Sequence, residues 1–403
     1  MALAHPATRG GRSSLADRLI VSGPPVVLLV LAAYVLARLL WAAASDAVVS
    51  PYHVRLWWVD YEQGFTRRGL PGTVLALVDG VPTYAHARAA IVAVAVIGLA
   101  STLALAALAA RQATTRARSW AVLAVVLCAP FTLTLLVREL GRFDSLGIAA
   151  LLALATLDRW RLPAWPATAC GAAVVLVAVA SEEFLIAYLA PVALLTALRS
   201  TDRRTAAVRA VVLVVPGAVL AAASLLVPTP QGTLQAALSR AAAAGVGPAE
   251  PAGNDAVTAL GADRAQQLSA FADYTPQALL ATGLVYGALF LAGSWLLWQL
   301  TGRRAPRWVG GTAAYALVVA VAMSTVGIDF RRWWALAFLA VLATLVAVHA
   351  HPRRPRRSSP GPLVTLAAAG SVVAGLAGQN WPVAGSIPLN AELLERVVSV
   401  RED

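Results

Sequence analysis

The chain has 403 residues, of which 59% are hydrophobic and 13% charged, and its net charge of +12 rests on 32 basic residues, every one an Arg. A soluble domain carries about a quarter charged residues, so this composition excludes an ordinary soluble protein. The apolar runs are continuous and rich in Ala, Leu and Val, which argues against a β-barrel, where apolar and polar residues alternate.

In chain order, apolar runs of membrane-spanning length recur. Eleven candidate spans lie at about 20–44, 88–110, 119–137, 145–157, 165–180, 184–198, 208–227, 277–299, 309–326, 333–349 and 363–378. The polar start holds Arg9, Arg12 and Arg18, and the run after it is too long for a signal-peptide core, so it suits a first span. The fourth to sixth spans are short, and one of them could be re-entrant. The stretch 165–198 is too long for one span and carries Glu182-Glu183 at its centre, so two helices meet there. Cys128 and Cys170 sit inside apolar runs and read as small core residues.

The charges sort by side. With the N-terminus in the cytoplasm, inner segments hold 19 Arg against 3 acids, and outer segments 11 Arg against 17 acids. The positive-inside rule thus supports the span count, the orientation and an outer C-terminus. The expected setting is the plasma membrane of a bacterium, crossed many times. The basic balance belongs to short loops and does not point to nucleic acid. The expected organisation is an all-α integral membrane protein: an inner tail over 1–19, one polytopic domain over 20–378 and an outer tail over 379–403. Two outer loops are long. Residues 45–87 have room for an amphipathic helix lying on the membrane. Residues 228–276 include Arg240 and turn chemistry around Gly245–Asn254, and read either as a lid or as a disordered connection.

The outer charges form clusters. The densest runs Trp57-Trp58-Val59-Asp60-Tyr61-Glu62-Gln63-Gly64-Phe65-Thr66-Arg67-Arg68-Gly69-Leu70-Pro71-Gly72. Asp60 or Glu62 suits a general base if burial and a neighbour set its charge state; otherwise both are solvated loop acids. Arg67 and Arg68 suit a phosphate, which a planar guanidinium grips with two hydrogen bonds; the plain reading is snorkelling to headgroups. Arg138, Glu139, Arg142 and Asp144 hold either a second anion or an internal ion network. Glu182 and Glu183 either favour a helix start or partner the outer Arg residues. Asp329, Arg331 and Arg332, beside the belt-like pair Trp333-Trp334, echo the first cluster. The five His show no metal spacing. No motif requires a cofactor, although the outer acids could hold a divalent cation.

Many helices, an acidic pair in the first outer loop and outer Arg clusters together resemble the GT-C superfamily of membrane glycosyltransferases. That resemblance implies a polyprenyl-phosphate-linked sugar donor and a glycan or lipid acceptor of the cell envelope. It implies Asp60, or failing it Glu62, as the base, and Arg67, Arg68, Arg331 and Arg332 on the lipid phosphate. The acids here are separated by Tyr61, where many members have adjacent acids, and the large C-terminal outer domain of many members is not expected within these 403 residues. The chain is also similar to lipid-linked polysaccharide polymerases. A transporter or flippase of an anionic or lipid-linked substrate is the competing expectation, since Pro130, Pro191 and Pro216 could break helices. A non-catalytic scaffold would leave the clustered charges without a purpose.

Overall fold

A backbone in hydrocarbon must satisfy its own hydrogen bonds, and an unbroken Ala/Leu/Val run does so as a helix. The computed structural model describes residues 51–80, 82–129, 132, 140–160, 162–199, 202–247, 256–261, 276–302, 305–325 and 330–348, with the single positions 33, 37 and 370. Among these residues every regular element is helical. In order they are α1 (Pro51–Val54), a 3-10 turn (Arg55–Trp58), α2 (Gly69–Asp79), α3 (Tyr84–Ala110), α4 (Arg116–Leu127), α5 (Asp144–Thr156), a 3-10 turn (Leu157–Arg159), α6 (Ala164–Ser181), α7 (Leu185–Leu198), α8 (Arg203–Leu226), α9 (Gln231–Ala243), α10 (Ala256–Gly261), α11 (Pro276–Leu300), α12 (Pro306–Ser324) and α13 (Phe330–Val348). Side-chain caps open several of them. Thr83 accepts from the His86 amide, Thr115 from that of Arg118, and Asp202 from those of Arg204 and Thr205.

The last described helix is the hub. Every residue from Arg332 to Ala347 is buried, as expected of a helix that is apolar on all sides. Helices α3, α5, α7, α11 and α12 pack around it. Close approach depends on glycine: a Cβ on Gly293 would stand 2.9 Å from the Phe338 ring. The outer helices turn apolar side chains outward, with Val219, Leu280 and Val318 all more than half exposed, as a lipid-facing surface requires.

Six of the described helices are long and apolar enough to cross a membrane: α3, α6, α8, α11, α12 and α13. The expected count of eleven is not reached among the described residues. Apart from the single positions 33, 37 and 370, the runs 20–44 and 363–378 lie outside them, and only 116–127 around the third run is described as helix. Helix α5 has 13 residues and α7 has 14, so each rises only about 20 Å against a core of about 30 Å. Both are largely buried against other helices. Pro191 and Pro216 lie inside continuous helices and break neither; Pro130 lies outside the described residues.

The bundle has two chemically distinct ends, about 28 Å apart along the 19 residues of α13. At one end Arg199 donates to the Ala347 carbonyl and pairs with Asp158 at 3.1 Å, while Arg159 donates to the Val346 carbonyl. Cations on the last carbonyls of a helix satisfy orphan acceptors and oppose its dipole. The other end gathers Asp144, Glu182, Glu183 and Arg332 with the first long loop. Segments assigned by sequence to a common face therefore share an end. Helices α6 and α7 form a hairpin whose apex is Glu182-Glu183, which is where the sequence placed two helices meeting.

Candidate functional site

Two tryptophans pin the first loop. The Trp57 Nε1 donates to the Gly141 carbonyl at 2.9 Å, and the Trp58 Nε1 to that of Pro82 at 3.0 Å. The chain then extends at Val59 and turns at Asp60, whose Oδ1 accepts from the Glu62 amide at 3.1 Å. The loop doubles back so that α2 lies on it. A Cβ at Gly72 would collide with the Val59 carbonyl oxygen, so only glycine fits there. The turn into α2 is made by Arg68 in the left-handed conformation, at φ 61°. Arg in that region is strained, and it persists because the guanidinium is held at its far end.

That guanidinium enters a buried ion chain. Arg68 grips Glu183 through Nε at 3.2 Å and Nη2 at 3.1 Å. Its Nη2 also stands 2.7 Å from Glu182 Oε1, a close ion pair without hydrogen-bond alignment. The second carboxylate oxygen of Glu182 meets Arg332 Nη2 at 3.2 Å. Arg332 in turn clasps Asp144 through Nε at 2.7 Å and Nη2 at 3.0 Å. The guanidinium of Arg332 lies 4.9 Å from the Trp333 ring. Four segments far apart in sequence thus supply one alternating chain, Asp144–Arg332–Glu182–Arg68–Glu183.

The two adjacent glutamates are driven apart. Burial raises the Glu182 carboxyl above its ordinary value, against the pull of Arg68 and Arg332. Burial also acts on Glu183, but the hydrogen-bonded Arg68 outweighs it and holds that carboxyl low.

The Arg pairs divide by role. Arg68 and Arg332 are the members committed to carboxylates. Their neighbours are held differently, although the Arg67 and Arg68 side chains are equally exposed. Arg67 Nη2 donates to the carbonyls of Ala259 at 3.0 Å and Leu260 at 2.7 Å, with Glu183 at 4.0 Å from its Nη1. Burial lowers the Arg67 pKa while Glu183 opposes that shift. Arg331 Nε donates to the Tyr286 hydroxyl at 3.3 Å. Arg142 Nε donates to His53 Nε2 at 2.9 Å, which sets Arg142 apart from Asp144 despite their closeness in sequence.

Asp60 and Glu62 differ sharply. The Asp60 side chain is 6% exposed and that of Glu62 is 67% exposed. Arg240 of α9 joins them: its Nη1 donates to Asp60 Oδ2 and, at 3.2 Å, to Glu62 Oε2. Helices α9 and α10 pack together and onto the Arg55–Trp58 turn, where Arg55 Nη2 donates to the Gly247 carbonyl at 2.7 Å. The described parts of segment 228–276 are therefore a folded flap over the first loop. Tyr61 and Phe65 stack at the loop surface with ring centroids 6.1 Å apart. On α2, just beyond Arg68, Val74, Leu77 and Val78 are exposed.

Of the residues singled out from sequence, one end of the bundle brings together Asp60, Glu62, Arg67, Arg68, Asp144, Glu182, Glu183 and Arg332. Arg138, Glu139 and Asp329 lie outside the described residues. Trp333 and Trp334 are 4% and 1% exposed, so they are core residues and not a lipid-facing belt. Sequence reasoning missed Arg240, His53, Tyr286 and Tyr188 as partners. Tyr188 is 1% exposed, lies within electrostatic reach of Arg332 and Asp144, and its hydroxyl has no partner among the described residues. The signal for Arg240 was thin: a lone Arg in an Ala-rich helical stretch. Among the described residues no group of three or more His, Cys, Asp or Glu is placed to hold a metal. No protein-family model, no curated protein and no solved structure matches the chain.

Proposed function

We propose that the protein is a membrane glycosyltransferase that moves a sugar from a polyprenyl-phosphate donor to a cell-envelope acceptor at the outer face of a bacterial plasma membrane. The observation that carries this reading is the seating of Arg67 and Asp60 on one short loop, directly beside the exposed apolar residues Val74, Leu77 and Val78 of α2. A polyprenyl phosphate has a tail that stays in hydrocarbon and a head that does not, and this loop offers a surface to each. Arg67 is the phosphate ligand, because its hydrogen bonds go to neutral carbonyls that a charged oxygen outcompetes, while Glu183 stands off at 4.0 Å. Arg331 is the second, held by one hydroxyl. Arg68 and Arg332 leave the proposed phosphate set, because each is already saturated by carboxylates; they hold the site's shape. Asp60 is the base that takes the proton from the attacking hydroxyl, and Arg cations stabilise the departing phosphate.

A flippase of a lipid-linked anion is the second reading, favoured by the charged chain buried inside the bundle. One experiment addresses both. Detergent-purified wild type and an Arg67→Ala variant are compared by native mass spectrometry for co-purified polyprenyl phosphate, then supplied with polyprenyl-phosphate sugar and membrane acceptor. Bound lipid lost in the variant, with sugar transfer by the wild type, is the expected result. Bound lipid without transfer supports the flippase. Only bulk phospholipid in equal amounts in both proteins rules out the donor class.

A further inference from the structure

Asp60 is held at both oxygens as it stands. Its Oδ1 takes the Glu62 amide, its Oδ2 takes Arg240, and the side chain is only 6% exposed, so Arg240 stands between the carboxylate and a ligand's hydroxyl. Arg240 is placed differently from the other cations of the site. It comes from α9, across the seam between flap and loop, and not from the loop or the bundle. Its Nη1 serves both acids, its Nε only touches its own helix at the Ala236 carbonyl, 3.4 Å away, and its Nη2 is buried without a hydrogen-bond partner. A buried donor without an acceptor costs free energy, and an incoming oxygen anion would recover it.

The seam around it is held by exchangeable bonds. Arg67 donates to two backbone carbonyls at the end of α10, Arg55 to two beyond α9, and the Thr66 and Thr229 hydroxyls meet at 3.4 Å. Neutral acceptors of this kind yield to a phosphate, whereas the carboxylate pairs of Arg68 and Arg332 do not.

We propose that Arg240 is a positioning residue that masks Asp60 at rest and turns to a phosphate-bearing ligand when one enters the seam, which uncovers Asp60. The ligand is a phosphate monoester or diphosphate. Resting on the transferase reading, the inference adds an order of events: the acid becomes available only after the phosphate is seated, so water finds no free base in the empty enzyme.

The test is carbodiimide labelling of the full-length protein in detergent, with glycine ethyl ester as nucleophile and site-resolved mass spectrometry as readout. A carboxylate locked to a guanidinium reacts slowly. The exposed Asp202, at the opposite end of the bundle, is the reference. Two probes are added separately: inorganic pyrophosphate and a dodecaprenyl monophosphate. Labelling of Asp60 relative to Asp202 should rise about tenfold with a probe that seats in the seam, the loss of one charge-assisted hydrogen bond. A response to the lipid alone assigns the site to a lipid-linked phosphate; a response to both assigns it to the phosphate head. Arg240→Gln should label at the high level with or without probe. The wild-type titration needs no variant, so a poorly folded variant leaves the test intact. Native mass spectrometry of the same samples reports bound lipid. Bound lipid with unchanged Asp60 labelling sinks the masking role and leaves the transferase reading standing. No bound lipid and no change with pyrophosphate sinks both.

Discussion

Replacing Arg332 with Met tests whether the buried ion chain is a structural necessity. The side chain is 2% exposed and makes a two-pronged pair with Asp144 plus a third contact to Glu182. Met keeps the bulk against Trp333 and removes the charge. Asp144 then loses its cation in a dry site, and Glu182 keeps only Arg68, which it shares with Glu183. Breaking one side of a buried pair costs about 3–5 kcal/mol. An independent bound comes from proton uptake. An ordinary carboxyl neutralised at pH 7 pays about 1.36 kcal/mol for each of roughly three units, near 4 kcal/mol, after which its burial is no longer a burden. The orphaned carboxyl has a folded pKa above its unfolded one, so the penalty is absent below the unfolded value and grows as pH rises. It should therefore be about 3–5 kcal/mol at pH 7 and less than half that at pH 5. Equilibrium unfolding in mixed micelles at the two pH values measures it. The double variant Arg332→Met/Asp144→Leu should recover at least half of the loss, since Glu182 keeps Arg68 at 2.7 Å. A cost under about 1 kcal/mol at pH 7, or one independent of pH, refutes the reasoning.

Glu183→Gln should cost stability at pH 7 and cost progressively less as pH falls toward the carboxyl range, because Arg68 holds Glu183 low and that contribution is lost on protonation. Glu182→Gln should be milder, and neutral to stabilising at alkaline pH, because burial raises that carboxyl and its charged form is the costly one; the same micelle titration compares the two. Gly72→Ala drives a methyl into the Val59 carbonyl oxygen and should lower the unfolding midpoint by the equivalent of about 1–3 kcal/mol while shifting the first loop, which trypsin sensitivity at Arg67 would report. Glu62→Cys, at a side chain 67% exposed, should react with a membrane-impermeant maleimide in intact cells; labelling only after lysis reverses the proposed orientation.

The helices were legible because apolar runs of spanning length leave the backbone little choice. The Glu182-Glu183 apex was legible for the same reason, as a charge break in a run too long for one span. The pairing within the site was not. Nothing local distinguishes Arg67 from Arg68; the left-handed turn at Arg68 sends one inward and the other toward the flap, and that turn is fixed by acids 114 and 115 positions away. Arg240 meets Asp60 across 180 positions, beyond any periodicity or motif. The Trp333-Trp334 pair misled because an aromatic doublet beside arginines reads as an interfacial belt, whereas packing around Phe184 and Phe290 keeps both rings in the core. The short helices α5 and α7 were counted as spans from apolarity alone, which does not tell a crossing helix from one enclosed by others.

The burial of α13 bears on how the molecule is made. The helix that touches α3, α5, α7, α11 and α12 is the last of them to leave the ribosome. Until it arrives, Asp144 waits without Arg332, and Glu182 has only one of its two cations. The earlier helices must therefore stand in the bilayer around an unfilled, acid-lined slot during synthesis. A chain that stops short of residue 330 is not a shortened version of this protein but an unfinished one, with a buried negative charge to betray it to the cell's membrane proteases.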